Sequence, residues 1–126
     1  MRISTLDHVN LRTTRLEDMV AWYTEVLGLR KGMRPGFGFP GAWLYAGDQA
    51  VVHLVGIDGP EGAGGDVPLK LEHFAFSATG AASFEKLLDA RGAPYRKSVV
   101  RDTGMVAYNV WDPDGNHIHV VFSLDE

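Results

Sequence analysis

The chain has 126 residues, 45% of them hydrophobic and 22% charged, with a net charge of −4, which suits one ordinary domain with a sizeable core. A mildly acidic chain without a basic run lacks the clustered Lys and Arg that nucleic acid binding needs. No apolar stretch approaches the roughly 20 residues that cross a bilayer. Cysteine is absent, which excludes disulfides, thiolate metal sites and a Cys nucleophile, so any metal must be held by nitrogen and oxygen donors.

The start, Met1-Arg2-Ile3-Ser4, lacks the apolar segment of a secretory signal, and a cytoplasmic location is expected. Alternation over residues 3–12 predicts a first strand. Thr14-Arg15-Leu16-Glu17 fits a capping box, with Thr14 as the cap and Glu17 reaching back to its amide. Leu16, Met19, Val20, Tyr23, Val26 and Leu27 then form the apolar stripe of a helix resting on a sheet, and Gly28 supplies its stop. A short strand is expected at 29–33. The Gly/Pro/Phe segment 33–41 follows as a connecting loop or a lid over a site. Strands at 42–46 and 50–56 are joined by the turn-prone Gly47-Asp48.

Residues 56–66 are glycine-rich and polar, and read as a linker. The order then repeats. A strand is expected at 69–77. A helix carrying Phe84, Leu87 and Leu88 follows, capped by Ser77 or Thr79 and ended at Gly92. Strands at 94–101, 105–111 and 116–122 complete the half, the last two joined by the type I turn signal Asp112-Pro113-Asp114-Gly115. His8 maps onto His73, Gly28 onto Gly92 and His53 onto His119, offsets of 64 to 66 residues, so internal duplication is the economical explanation. The expected architecture is one α+β domain over residues 1–126, built from two βαβββ modules at about 1–57 and 69–126 with a linker at about 58–68. The modules are expected to form a cupped mixed sheet with the helices on its convex face.

Side chains alternate across a strand, so each segment exposes one readable face. Leu6, His8, Asn10 and Arg12 share a face opposite Val9 and Leu11. His53 lies opposite Val52 and Leu54, His73 opposite the Phe74 and Phe76 side, and His117 and His119 opposite Ile118, Val120 and Phe122. One apolar face suits the helices, and the other carries four imidazoles, which makes a pocket.

Leu6-Asp7-His8-Val9-Asn10-Leu11, followed by a helix containing Trp22-Tyr23 and ending Leu27-Gly28-Leu29, resembles the glyoxalase/bleomycin-resistance/extradiol-dioxygenase superfamily, also called vicinal oxygen chelate. Leu71-Glu72-His73-Phe74-Ala75 and the run from Asp112 to His119 fit the start and end of its second module. The resemblance implies paired modules around a divalent metal and a homodimer; a small-molecule substrate is expected, and the composition argues against nucleic acid or membrane as partner. It puts the metal ligands at His8, His53, His73 and His119. Many catalytic members carry glutamate at one or both of the positions held here by His53 and His119, so the ordinary glyoxalase reaction lacks its usual carboxylate.

Imidazole donors favour Zn, Ni or Fe, with Mn or Cu as further options. The expected activity is that of a metal-dependent lyase or isomerase acting on vicinal oxygens of a small, anionic substrate. The alternatives are an Fe(II)-dependent extradiol-type dioxygenase and a non-catalytic binding or resistance protein. Asn10, Arg12, Trp43, Tyr45, Asn109 and His117 are the expected pocket residues. For Arg12 a solvated strand end is the competing reading, and for Trp43 and Tyr45 core or interface packing.

Overall fold

The computed structural model describes residues 1–59 and 71–126. Most of the expected linker, and the start of the strand expected at 69–77, lie outside the described residues. The chain divides into two compact units, Met1–Ala63 and Gly64–Glu126.

In the first unit the order is β1 (Val9–Thr13), α1 (Leu16–Glu25), β2 (Arg30–Gly32), β3 (Gly41–Ala46) and β4 (Gln49–Gly56). The sheet runs β1-β4-β3-β2, with β1 parallel to β4 and the other pairs antiparallel. The second unit repeats this with β5 (Phe74–Ser77), α2 (Ala81–Arg91), β6 (Arg96–Val100), β7 (Met105–Trp111) and β8 (His117–Ser123), in sheet order β5-β8-β7-β6. Two βαβββ modules of an α+β chain are therefore present.

Alternation decides what each sheet buries. In the first unit Ala42, Leu44, Val52 and Leu54 are buried together with Met19 and Tyr23 of α1, which packs on β3 and β4. In the second, Val106, Tyr108, Val110, Ile118, Val120 and Phe122 are buried. Phe84 of α2 meets Tyr108 edge-on at 5.7 Å. Each such side chain contributes about 1.5–3 kcal/mol on leaving water. The helix takes one face of each sheet, and the histidines sit on the other. Gly28, at φ 70°, supplies the left-handed residue that ends α1, and the Leu29 amide donates back to the Tyr23 carbonyl at 3.0 Å in a Schellman-type closure. The expected turn at Asp112-Pro113-Asp114-Gly115 forms, with the Gly115 amide donating to the Asp112 carbonyl at 2.8 Å.

Three local expectations are corrected. The first strand begins at Val9 rather than residue 3. Ile3 and Leu6 are 82% and 75% exposed, and among the described residues no strand pairs with 3–8. No capping box forms at α1: Arg15 holds the cap position and makes no side-chain capping bond, and the Thr13 hydroxyl instead accepts the Arg15 amide at 2.9 Å. Neither Ser77 nor Thr79 caps α2. The Glu126 carboxylate accepts the Gly80 and Ala81 amides at 3.1 and 2.8 Å, placing negative charge where a helix N-terminus favours it.

Candidate metal and ligand sites

In the second unit, His119 on β8 lies in register with Asn109 on β7 and Ala75 on β5. His73 immediately precedes β5, and its ring stacks on that of His119 with centroids 3.7 Å apart and planes 8° from parallel. His117 shares their face, 5.4 Å from His73 and 4.8 Å from His119 by ring centroid. One ring nitrogen from each of His73, His117 and His119 lies within 4.8 Å of the other two. A tetrahedral ion with bonds near 2.05 Å spaces its donors roughly 3.3 Å apart. Side-chain rotations that draw the nitrogens about 1.5 Å closer would meet that spacing, so the donor set fits a divalent ion.

The hydrogen bonds decide which nitrogens are available. Glu72 bridges two rings: one carboxylate oxygen accepts from Nδ1 of His73 and the other from Nδ1 of His117 at 2.8 Å. His73 is thereby left with an Nε2 lone pair, the carboxylate–histidine arrangement that orients metal ligands. His117 is more committed, because its Nε2 also meets Asn109 Oδ1 at 2.9 Å. Asn109 cannot turn its amide round. Its Nδ2 donates to the Arg96 carbonyl at 2.9 Å and to Ser98 Oγ at 3.1 Å. Both His117 nitrogens therefore face acceptors, which makes it a hydrogen-bond donor first and a metal ligand only if one bond is released. His119 titrates below the ordinary histidine range, because burial disfavours its charged form and His73 and His117 add like charge. It is thus a neutral imidazole at pH 7, as ligation requires. The bonds from His73 and then His117 hold the Glu72 carboxyl below its usual range.

The first unit repeats the theme with different neighbours. His53 on β4 is sandwiched: His8 stacks on it at 3.8 Å and 11°, and Trp43, its register partner on β3, at 4.0 Å and 12°. Asp7 Oδ1 accepts from His8 Nδ1 at 2.7 Å, leaving Nε2 as the donor atom, just as Glu72 does for His73. The contact of His53 Nε2 with the Ala50 carbonyl, at 3.1 Å, requires the proton on Nε2 and leaves the lone pair on Nδ1. Burial, and after it the neighbouring His8, lowers the His53 pKa.

Beside His53 lies a cavity of about 120 Å³ lined by Asn10, Arg34, Phe37, Phe39, Trp43 and His53, with Leu54 and Val55 behind them. The expected residues Asn10 and Trp43 thus adjoin His53. Arg12, an exposed strand residue, and Tyr45 are not among the lining residues. Tyr45 packs its ring against Gly32, and its hydroxyl donates to the Met33 carbonyl at 2.5 Å. Asn109 and His117 join His119 in the second unit. Sequence reasoning missed Asp7 and Glu72, although the signal was there: an acidic residue directly before the first histidine of each half. It also left Arg34, Phe37 and Phe39 inside a loop without assigning them a wall.

A model of the Glyoxalase/Bleomycin resistance protein/Dioxygenase superfamily matches residues 5–120, and the chain belongs to that superfamily. It is 27% identical over 125 residues to Glyoxylase I 4 of Arabidopsis thaliana, covering 95% of this chain and 71% of that protein. The fold is shared with a glyoxalase family protein from Bacillus anthracis, with a TM-score of 0.77, 24% identity and 98% of each chain covered. It is also shared with lactoylglutathione lyase from Agrobacterium tumefaciens, with a TM-score of 0.70, 20% identity, and 97% of this chain and 96% of that one covered. Among the described residues, no helix is long and apolar enough to cross a membrane.

Proposed function

We propose that this chain is a divalent-metal-dependent enzyme of the lyase or isomerase type, acting on a small, oxygenated, anionic substrate. The observation that carries the reading is the three-imidazole cluster of His73, His117 and His119 with nitrogens within 4.8 Å of one another. Within that cluster His73 and His119 are the proposed ligands, and the first unit holds a matching stacked pair, His8 and His53, proposed as ligands in the same way. A divalent ion held by neutral imidazoles keeps its full double charge and supplies Lewis acidity toward two adjacent substrate oxygens.

The chain's own residues do the rest. Asp7 and Glu72 fix the tautomers of His8 and His73, so that each offers Nε2. His117 lies beside His119, with Nδ1 toward Glu72 and Nε2 toward Asn109. It is the candidate proton donor, two residues from His119. Similarity to a glyoxalase I relative and to a lactoylglutathione lyase supports a lyase or isomerase. The large exposed side chains Ile3, Leu6 and Leu71 offer apolar surface of the kind a second copy covers, and a homodimer, read by light scattering, belongs to the proposal.

The test is elemental analysis of protein purified without an affinity tag, followed by chelation and reloading with Zn, Ni, Fe and Mn. Turnover of hemithioacetals of 2-oxoaldehydes or related α-oxygenated acids should vanish on chelation and return with one metal. A protein that binds no metal and keeps its ligand affinity after chelation would instead be a binding module. The aromatic lining of the cavity beside His53 favours a second reading, an Fe(II) dioxygenase acting on a ring. Oxygen uptake by iron-loaded protein with catechols would identify it.

A further inference from the structure

The loop between β2 and β3 builds a wall. Phe37 and Phe39 stack at 5.2 Å and 11°, and Phe37 lies 6.3 Å from Trp43. The Arg34 guanidinium sits 5.0 Å from the centroids of both phenylalanines and donates one bond to the Phe39 carbonyl at 3.0 Å. From these contacts we propose that the cavity is a subsite for one six-membered aromatic ring bearing a carboxylate. The ring lies against Trp43 and Phe37, and the carboxylate pairs with Arg34.

Three observations converge on this. The first is size. An apolar cavity of about 150 Å³ accepts benzene, so about 120 Å³ in a pocket open to the surface suits a single ring. The second is lining. The aromatic side chains Phe37, Phe39 and Trp43 in the lining offer offset and edge contacts that a ring satisfies better than an alkyl chain does. The third is charge. A guanidinium has five N–H donors, and the contacts with Phe39 and the rings leave most of them open. Among the described residues Arg34 has no carboxylate within ion-pair distance, and a bidentate carboxylate is the partner its planar fork matches best.

The placement of Arg34 is built in. Gly41 begins β3 beneath it, and a Cβ there would stand 2.7 Å from Arg34 Nη2 and 2.5 Å from the Leu54 carbonyl. Only bare backbone lets the guanidinium lie so close. The bond from the Tyr45 hydroxyl to Met33 anchors the entry to the loop.

Calling this ligand a substrate rests on the enzymatic reading above, whereas its binding does not. The experiment is therefore calorimetry on the chelator-treated full-length chain with benzoate, benzyl alcohol and acetate as probes. Benzoate is expected to bind at least tenfold more tightly than either of the others. R34Q should cost benzoate tenfold or more and cost benzyl alcohol at least threefold less than it costs benzoate. R34K, which keeps the charge but not the fork, should fall between, and W43L should weaken both ring probes. Should R34Q fold poorly, R34K together with the benzoate-to-acetate ratio in the parent protein carries the test. Equal affinities for benzoate and acetate, or an R34Q protein that binds benzoate as the parent does, would overturn the subsite. Benzoate affinity that appears only with metal present would overturn the Arg34 assignment while leaving the metal enzyme standing. Benzoate bound by a protein that never retains metal would do the reverse.

Discussion

Glu72 holds two histidine rings at once, and its removal separates a structural role from an orienting one. The side chain is 68% exposed, so Glu72→Ala should change the stability of metal-free protein by no more than about 0.5 kcal/mol. Its two carboxylate oxygens accept from His73 and His117, and without them His73 can switch tautomer and rotate. Loss of such a partner typically costs 10–100-fold in metal affinity, which is about 1.4–2.7 kcal/mol. By linkage that difference appears only in the metal-saturated protein, as a melting temperature lower by about 5–10 °C in a domain of this size. Competition titration against a chromophoric chelator, with thermal melts in both states, reads the two quantities. Unchanged metal affinity in a folded variant refutes the orienting role. A metal-free melt that falls as far as the loaded one makes Glu72 a structural residue instead.

Other positions carry independent expectations. Asp112 is 5% exposed, and its carboxylate accepts the Asp114 amide, the Asn116 amide and Asn116 Nδ2 at 3.0, 2.9 and 2.8 Å. Asp112→Ala should therefore cost about 2–4 kcal/mol in urea unfolding, and Asp112→Asn distinctly less. Glu126→Gln should weaken the α2 cap by about 0.5–1 kcal/mol and speed amide exchange at Gly80 and Ala81. Glu85 has its carboxyl held below the usual range by bonds from Lys97 and then Tyr108. A depressed carboxyl stabilises the fold above the ordinary value near 4.5 and loses that contribution as pH falls through the lower folded value. Melting temperature should thus drop on acidification below about 4.5, and Glu85→Gln should flatten that acid limb.

The strands and helices were legible wherever burial enforces a period. Val52, His53 and Leu54, or Ile118, His119 and Val120, can adopt only one orientation once a helix covers one side of the sheet. Over residues 3–8 the pattern is weaker, since Ile3 and Leu6 fall on opposite faces of an extended chain, and both are exposed. The caps failed for a related reason. Thr14, Ser77 and Thr79 are adequate local candidates, but Thr13 and the distant Glu126 take the amides, and no short window contains Glu126. At the site, both histidine pairs were visible as repeats. Their carboxylate partners Asp7 and Glu72 were adjacent in sequence and overlooked, since neighbours in a strand ordinarily point to opposite faces. Each of these pairs lies just before its strand begins, where that rule does not apply.

Duplication also exposes how the two units have diverged. Trp43 pairs in register with His53, and Asn109 with His119, so the two residues occupy the same place in their modules. The consequences are opposite. Trp43 gives His53 an aromatic face at 4.0 Å and one wall of a cavity, whereas Asn109 gives the second unit a buried amide that donates to Arg96 and Ser98 and accepts from His117. His117 itself has no histidine counterpart, since the matching position in β4 is Val51. A histidine where the other module has Val51 needs a partner for its second nitrogen, and Asn109 is that partner. Exchanging the two residues would leave His117 Nε2 without an acceptor, and would put a polar group against rings where Trp43 now excludes water. Within its own unit each residue sets the surroundings of the histidine beside it, aromatic for His53 and polar for His119.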